Sequence, residues 1–264
     1  MDKIRRNGYW IYVLQRAIQV LTQQRARILA YHSVSDQRID RYAIHPRQFE
    51  RQMQSLRTKG MVLVSLSELV HRMQRRESLK KLVVITFDDG YQDFLECAIP
   101  ILREYQVPAV VFVPVGMLGN KSRWSRVVPD AQLMTEWQVE QVVQEGAAIG
   151  SHSMTHPRLP MLPETLAVEE FVASRDWLQA RFRLEWLSFA YPFGDFGRRE
   201  SQMAHQAGYR CAVGFGGLWG NGLETNLFEL NRDAITREYN YHSFQRLLNG
   251  WSDWTSAIRW ALQR

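Results

Sequence analysis

The sequence predicts an α/β domain built on a mostly parallel sheet, and three observations lead there. Short, nearly continuous apolar runs, such as residues 81–87 and 107–113, alternate with segments of helical periodicity. Each of three polar signatures, at 88–90, 151–156 and 191–195, directly follows such a run, as expected where reactive groups gather at strand ends. With 264 residues, 45% of them hydrophobic, the chain can bury one large core. One domain over residues 27–264 is expected, preceded by a basic helix over 1–26 and ending in a Trp-rich helix.

The N-terminal segment carries Lys3, Arg5, Arg6, Arg16, Arg25 and Arg27 against Asp2 alone, so most of the net charge of +6 is concentrated there. The near-neutral remainder has no zinc-finger spacing and no basic-aromatic signature, which argues against a nucleic-acid partner. Trp10, Leu14, Ile18 and Leu21 recur at helical spacing. Such a helix is expected to pack on the body of the protein, with peripheral membrane contact as the alternative. Gln15, Arg16 and Gln19 break the apolar run before it becomes a cleavable export signal, and a cytoplasmic location is expected.

A strand is read at 27–32, then a polar loop at 33–41. A helix over 46–59 has Phe49, Met53 and Leu56 on one face and Gly60 as its stop. Residues 61–65 are apolar and β-branched, and Ser67 is read as the N-cap of a helix running to Arg75. Strands follow at 81–87, 107–113, 147–150, 186–190 and 209–215, with helices between them. The segment 116–134 lacks periodicity and suits a loop shaping a substrate site. Trp251, Trp254, Ile258 and Leu262 form an aromatic stripe that reads as packing or docking surface. Cys97 and Cys211 lack metal-ligand spacing and read as reduced core residues.

Neighbouring aspartates at the end of an extended strand point in different directions, so one can hold a cation while the other faces a reacting water. His152 and His156 have the four-residue spacing common in metal sites. One carboxylate and two imidazoles make a three-ligand site with open positions. Zinc is the natural divalent ion, and cobalt, nickel or iron suit the same ligands.

Together, Thr86-Phe-Asp-Asp-Gly90, His152-Ser-Met-Thr-His156 and Tyr191-Pro-Phe-Gly194, in this order and each after a strand, resemble the first three motifs of the polysaccharide deacetylases, carbohydrate esterase family four. The resemblance covers roughly residues 27–240. It implies a distorted (β/α)7 barrel with Asp89, His152 and His156 as metal ligands, Asp88 as general base and the backbone N–H of Phe193 as oxyanion donor. Ala30-Tyr-His32-Ser-Val resembles the exopolysaccharide, poly-N-acetylglucosamine deacetylase branch, which makes His32 the implied general acid.

Two departures accompany the resemblance. Ala190 stands where many members have an arginine holding the catalytic aspartate, and no C-terminal Leu-x-His motif is present; His242 matches it poorly and reads as a surface residue. Arg232 is the candidate replacement for the missing arginine and, with Tyr191, Pro192 and Asp195, a candidate substrate contact. Asp195 could equally cap the next helix. The expected activity is metal-dependent removal of N-acetyl groups from an N-acetylated sugar polymer or lipid-linked oligosaccharide. Hydrolysis of O-acetyl esters or a non-sugar amide, and silent sugar binding, are the alternatives.

Overall fold

The computed structural model describes residues 25–38, 40–124, 131–215 and 220–248. The expected N-terminal helix, apart from its last two residues, and the aromatic stripe at 251–262 lie outside the described residues. In chain order the strands are β1 (Arg27–Tyr31), β2 (Ser33–Val34), β3 (Ala43–Ile44), β4 (Val62–Leu63), β5 (Leu82–Phe87), β6 (Ala109–Val113), β7 (Ala148–Ser151), β8 (Ser188–Ala190), β9 (Cys211–Gly214), β10 (Leu230–Asn231) and β11 (Asp233–Ala234). The α-helices are α1 (Pro46–Thr58), α2 (Leu66–Gln74), α3 (Ile99–Glu104), α4 (Glu136–Gln144), α5 (Glu164–Phe182), α6 (Arg198–Gln206) and α7 (Tyr241–Leu248).

Local chemistry explains the helix starts. Pro46 occupies the first turn of α1, where its missing N–H costs nothing, and a Thr135–Gln138 capping box opens α4. The cap of α2 is Ser65, which accepts from the Glu68 N–H at 3.1 Å; Ser67, expected in that role, sits inside the helix. Cys211 is buried as expected, whereas Cys97 is only half-buried; both are free thiols.

The main sheet runs β10-β9-β8-β7-β6-β5-β1-β11, every pair parallel, and curls into a nearly closed barrel; β4 pairs with β5 off this path. Its two ends belong to one stretch of chain. β10 adds to the β9 edge, β11 adds to the β1 edge, and Arg232 alone separates them. Counted as one interrupted strand, this seam gives the seven strands that the resemblance implied.

Alternation along the strands sorts side chains into two layers. Val83, Ile85, Phe87, Val111, Val113, Phe189 and Tyr191 belong to the apolar layer that includes Phe49 and Met53 of α1 and Phe171 of α5. Leu82, Val84, Val110, Phe112, Ala190 and Val213 form a second layer with Leu66, Leu69, Val70 and Met73 of α2. This second layer fills the barrel, and α2 packs toward the amino end of β5, leaving the carboxyl ends for polar groups.

Gly150 of β7 belongs to the barrel filling. A Cβ there would lie 2.5 Å from the ring of the fully buried Phe112 and 3.0 Å from the Ser188 carbonyl oxygen. Gly150→Ala is therefore expected to destabilise the fold by about 1–3 kcal/mol through overpacking, read as a lowered midpoint in urea. An unchanged midpoint would show that the barrel interior relaxes freely.

Candidate active site

The alternation that places Val84 and Thr86 inside the barrel delivers Asp88 to its mouth, where the Asp88 N–H donates to the Tyr31 carbonyl at 2.9 Å. Asp89 and Gly90 then adopt left-handed conformations, with φ of 71° and 65°. A glycine suits the second position, because a Cβ would lie 2.9 Å from Val113. The turn gives the two carboxylates different partners. Asp89 Oδ1 lies 3.5 Å from His152 Nε2 and 3.2 Å from His156 Nε2.

Each imidazole is fixed by what surrounds it. The His152 N–H continues the ladder by donating to Val113, and its Nδ1 lies 2.7 Å from the Ala190 carbonyl oxygen. That contact assigns the Nδ1–H tautomer, leaving the Nε2 lone pair facing Asp89. His156 returns to the same point through a tight loop in which Ser153 and His156 have φ of 68° and 60°. Glu170 of α5 clamps this loop, accepting from the N–H groups of Met154 and Thr155 and from the Thr155 hydroxyl. The Trp124 ring stacks on His156 at 4.1 Å.

Asp89, His152 and His156 are all buried, and their ligand atoms lie within 4.8 Å of one another. Burial pulls the His156 pKa down, partly opposed by Asp89, which favours the neutral ring that a metal ligand must be. Burial alone would raise Asp89, but the two histidine side chains against its Oδ1 hold it well below the usual carboxylate range. One carboxylate and two oriented imidazoles fit a divalent ion with positions left for water and substrate.

Asp88 has a different environment. Arg232 Nη1 and Nη2 donate to its two oxygens at 2.6 and 2.7 Å, with the arginine side chain fully buried and the carboxylate nearly so. Nη1 also donates to the Thr86 hydroxyl at 3.2 Å, and the guanidinium carbon lies 4.7 Å from the Phe215 ring centre. Burial pushes the Asp88 pKa up, the Arg232 charge pushes it down, and the net displacement is downward. The carboxylate is therefore ionised and directionally held at neutral pH.

The remaining candidates separate clearly. His32 follows β1 beside Asp88, and its ring packs on Tyr42 at 4.6 Å between centres. Phe193 is left-handed with φ of 60°, its ring meets His156 edge-on at 4.7 Å, and its N–H has no acceptor among the described residues. Arg232, expected to touch substrate, is spent on Asp88 and enclosed. Tyr191 is corrected too: strand alternation turns it out of the barrel into the core, where its hydroxyl donates to the Phe228 carbonyl at 2.8 Å. Pro192 is likewise buried. Asp195 does not cap α6, whose N-cap is Gly197; it pairs with Arg158 at 3.2 Å, and Arg158 lies over the Phe193 ring. His242 is exposed on α7, as expected.

Trp124, Glu170 and Tyr91 escaped sequence reading. Tyr91 carries the Arg38 guanidinium on its ring at 4.4 Å; burial, then the Asp89 charge, raises its pKa far above the usual value, keeping its hydroxyl neutral. Only the position of Tyr91 directly after Asp-Asp-Gly was a signal.

Comparison with known proteins agrees with this arrangement. The polysaccharide deacetylase family model matches residues 75–212, more than half of the chain. The chain belongs to the polysaccharide deacetylase family. A Bacillus subtilis (strain 168) protein named for this family, YxkH, is 28% identical over 187 residues, covering 70% of this chain and 63% of that protein. The match therefore spans less than two thirds of that relative. The poly-beta-1,6-N-acetyl-D-glucosamine N-deacetylase of Staphylococcus aureus (strain MRSA252) is 22% identical over 83% of this chain and 71% of its own length. The Streptococcus pyogenes deacetylase PplD, solved in complex with acetate, superposes with a TM-score of 0.73 at 25% identity, over 86% of this chain and 99% of that one. Arg232, expected as the replacement for an arginine at Ala190, holds Asp88 on both oxygens and enters from the seam.

Arg232→Met removes the counter-charge from a buried carboxylate and is expected to cost about 3–5 kcal/mol. In the native chain Asp88 is displaced downward, so its stabilisation is complete above the ordinary carboxylate pKa of about 4 and drains away as pH falls through the lower folded value. In the variant burial acts without that opposition and raises Asp88, so stability is greatest in acid and falls as pH rises. Urea midpoints at about pH 4 and about pH 8 should show the larger deficit at the higher pH. An equal deficit at both would mean that the ion pair does not set it.

Proposed function

We propose that this chain hydrolyses the N-acetyl group of an N-acetylated glucosamine polymer or lipid-linked oligosaccharide. The observation that carries the reading is one barrel mouth holding a three-ligand Asp-His-His group beside a second aspartate bound on both oxygens by a buried arginine. Family membership and the N-deacetylase named among the relatives support it. A divalent ion held by Asp89, His152 and His156 would supply Lewis acidity, polarising the amide carbonyl and lowering the pKa of water to about 7.

The residues of the chain divide the proton and charge movements. Asp88, ionised and fixed by Arg232, accepts a proton from the water that attacks the acetyl carbon. The Phe193 N–H donates to the oxygen that gains negative charge. As the C–N bond breaks, nitrogen takes a proton from His32, giving an amine and acetate; the position of His32 at the strand end beside Asp88 suits that transfer. Phe193, Arg158 and Asp195 form the rim across which the sugar lies. The cytoplasmic setting and membrane contact through the N-terminal segment belong to the same proposal; among the described residues no helix is long and apolar enough to cross a membrane.

Acetate release from N-acetylglucosamine oligomers tests the reading. Chelation should abolish it, zinc, cobalt or nickel should restore it, and Asp88→Asn should lower it about 10²–10⁴-fold. Folded, metal-loaded protein without turnover would refute the assignment.

The role of His32 has a separate test in leaving-group dependence. His32→Asn should slow amide hydrolysis by about 10²-fold while sparing 4-nitrophenyl acetate, whose phenolate departs without a proton. Equal losses on both substrates would rule out the acid role.

A further inference from the structure

A second polar concavity lies outside the catalytic mouth. A cavity of about 530 Å³ opens between the amino end of α1, the loop after β11 and α7. Arg47, Arg51 and Arg237 line it, and none of them forms an ion pair among the described residues. Its one acidic side chain, Glu238, is turned to Arg41 at 3.9 Å. Gln52 also lines the cavity at only 4% exposure; its Oε1 accepts from the Tyr31 hydroxyl at 3.0 Å, while its Nε2 has no acceptor. A buried amide donor without an acceptor is costly, and its natural complement is an oxygen-rich ligand.

We propose that this cavity is an anion subsite that takes a phosphate ester, using the Arg47, Arg51 and Arg237 guanidinium groups and the Gln52 amide. Three arginines and one unpaired amide lining the same cavity match a group with several charged oxygens better than a neutral sugar, whose hydroxyls need acceptors as well as donors. None of the active-site residues lines the cavity, and the chain between them links it to the catalytic mouth. Arg41, which faces Glu238, is followed by Tyr42, which packs on His32; the Arg41 carbonyl accepts from the Arg237 N–H at 2.9 Å. A phosphate carried on the glycan, or on the lipid to which a sugar is linked, would thereby set which residue of the chain meets Asp88. This last step rests on the proposed function; phosphate binding itself does not.

Calorimetric titration of the full chain with N-acetylglucosamine 1-phosphate, with N-acetylglucosamine as the uncharged control, tests the subsite. Co-sedimentation with phosphatidylcholine vesicles, with and without phosphatidic acid, distinguishes a lipid source from a soluble one. The native chain should bind the phosphate-bearing probe in at least one arm. Arg51→Gln with Arg237→Gln, both at exposed positions, should weaken that binding by about 100-fold, roughly tenfold for each charged hydrogen bond lost. Circular dichroism checks that the double variant is folded. No binding in either arm, or binding that the double variant leaves intact, would overturn the subsite; the latter result would place the phosphate at the catalytic ligands. Deacetylation without arginine-dependent phosphate binding would leave the proposed function standing and remove this inference, and the converse result would do the opposite.

Discussion

The structure depends on the pairing of Arg232 with Asp88. Two charges buried at a barrel mouth would be prohibitive apart, and together they are tolerated because both carboxylate oxygens and both terminal guanidinium nitrogens are matched. The pair holds the interrupted last strand in register, since Arg232 is the sole residue between the segment that joins β9 and the segment that joins β1. It also keeps Asp88 charged at neutral pH and aimed beside the Asp-His-His group.

Adjacent aspartates thus acquire opposite chemistry from one turn of backbone. Asp88 ends the inward-facing row of β5 and meets a fixed cation. Asp89 leaves the strand with a left-handed turn and meets two imidazoles. Much of the strained backbone of the site serves this convergence. Asp89, Ser153, His156 and Phe193 all lie at positive φ without being glycine. Such conformations persist where the surroundings over-determine them, and Glu170, Ser151 and Ser153 supply the hydrogen bonds that do so around the histidine loop.

The parallel sheet was legible because its central strands are continuous apolar runs, and Asp88, Asp89, His152 and His156 were legible because each motif sits at the end of one. The seam was not. β10 and β11 have two residues each, too few for any period to register, and their pairing is settled by edges that lie far away in sequence. Tyr191 was misplaced for a related reason: β8 is three residues long, so alternation could not show that Ala190 faces the barrel interior and Tyr191 the helices. Arg232 was noticed as a spare cation, yet its enclosure by Thr86, Phe112 and Phe215 is a property of the closed barrel. Glu170 looked like one more helix carboxylate until the histidine loop folded over it.

Closing the barrel at an arginine ties competence to completeness. Asp88 and the three ligand residues are all synthesised by residue 156, yet the cation that orients Asp88 follows 76 residues later, in the stretch that seals β9 to β1. During synthesis, or after a break upstream of the seam, the ligand group can be present while the aspartate beside it lacks its partner. The fold thereby works as a proofreader of its own chain, withholding an organised Asp88 carboxylate until the last strand has docked.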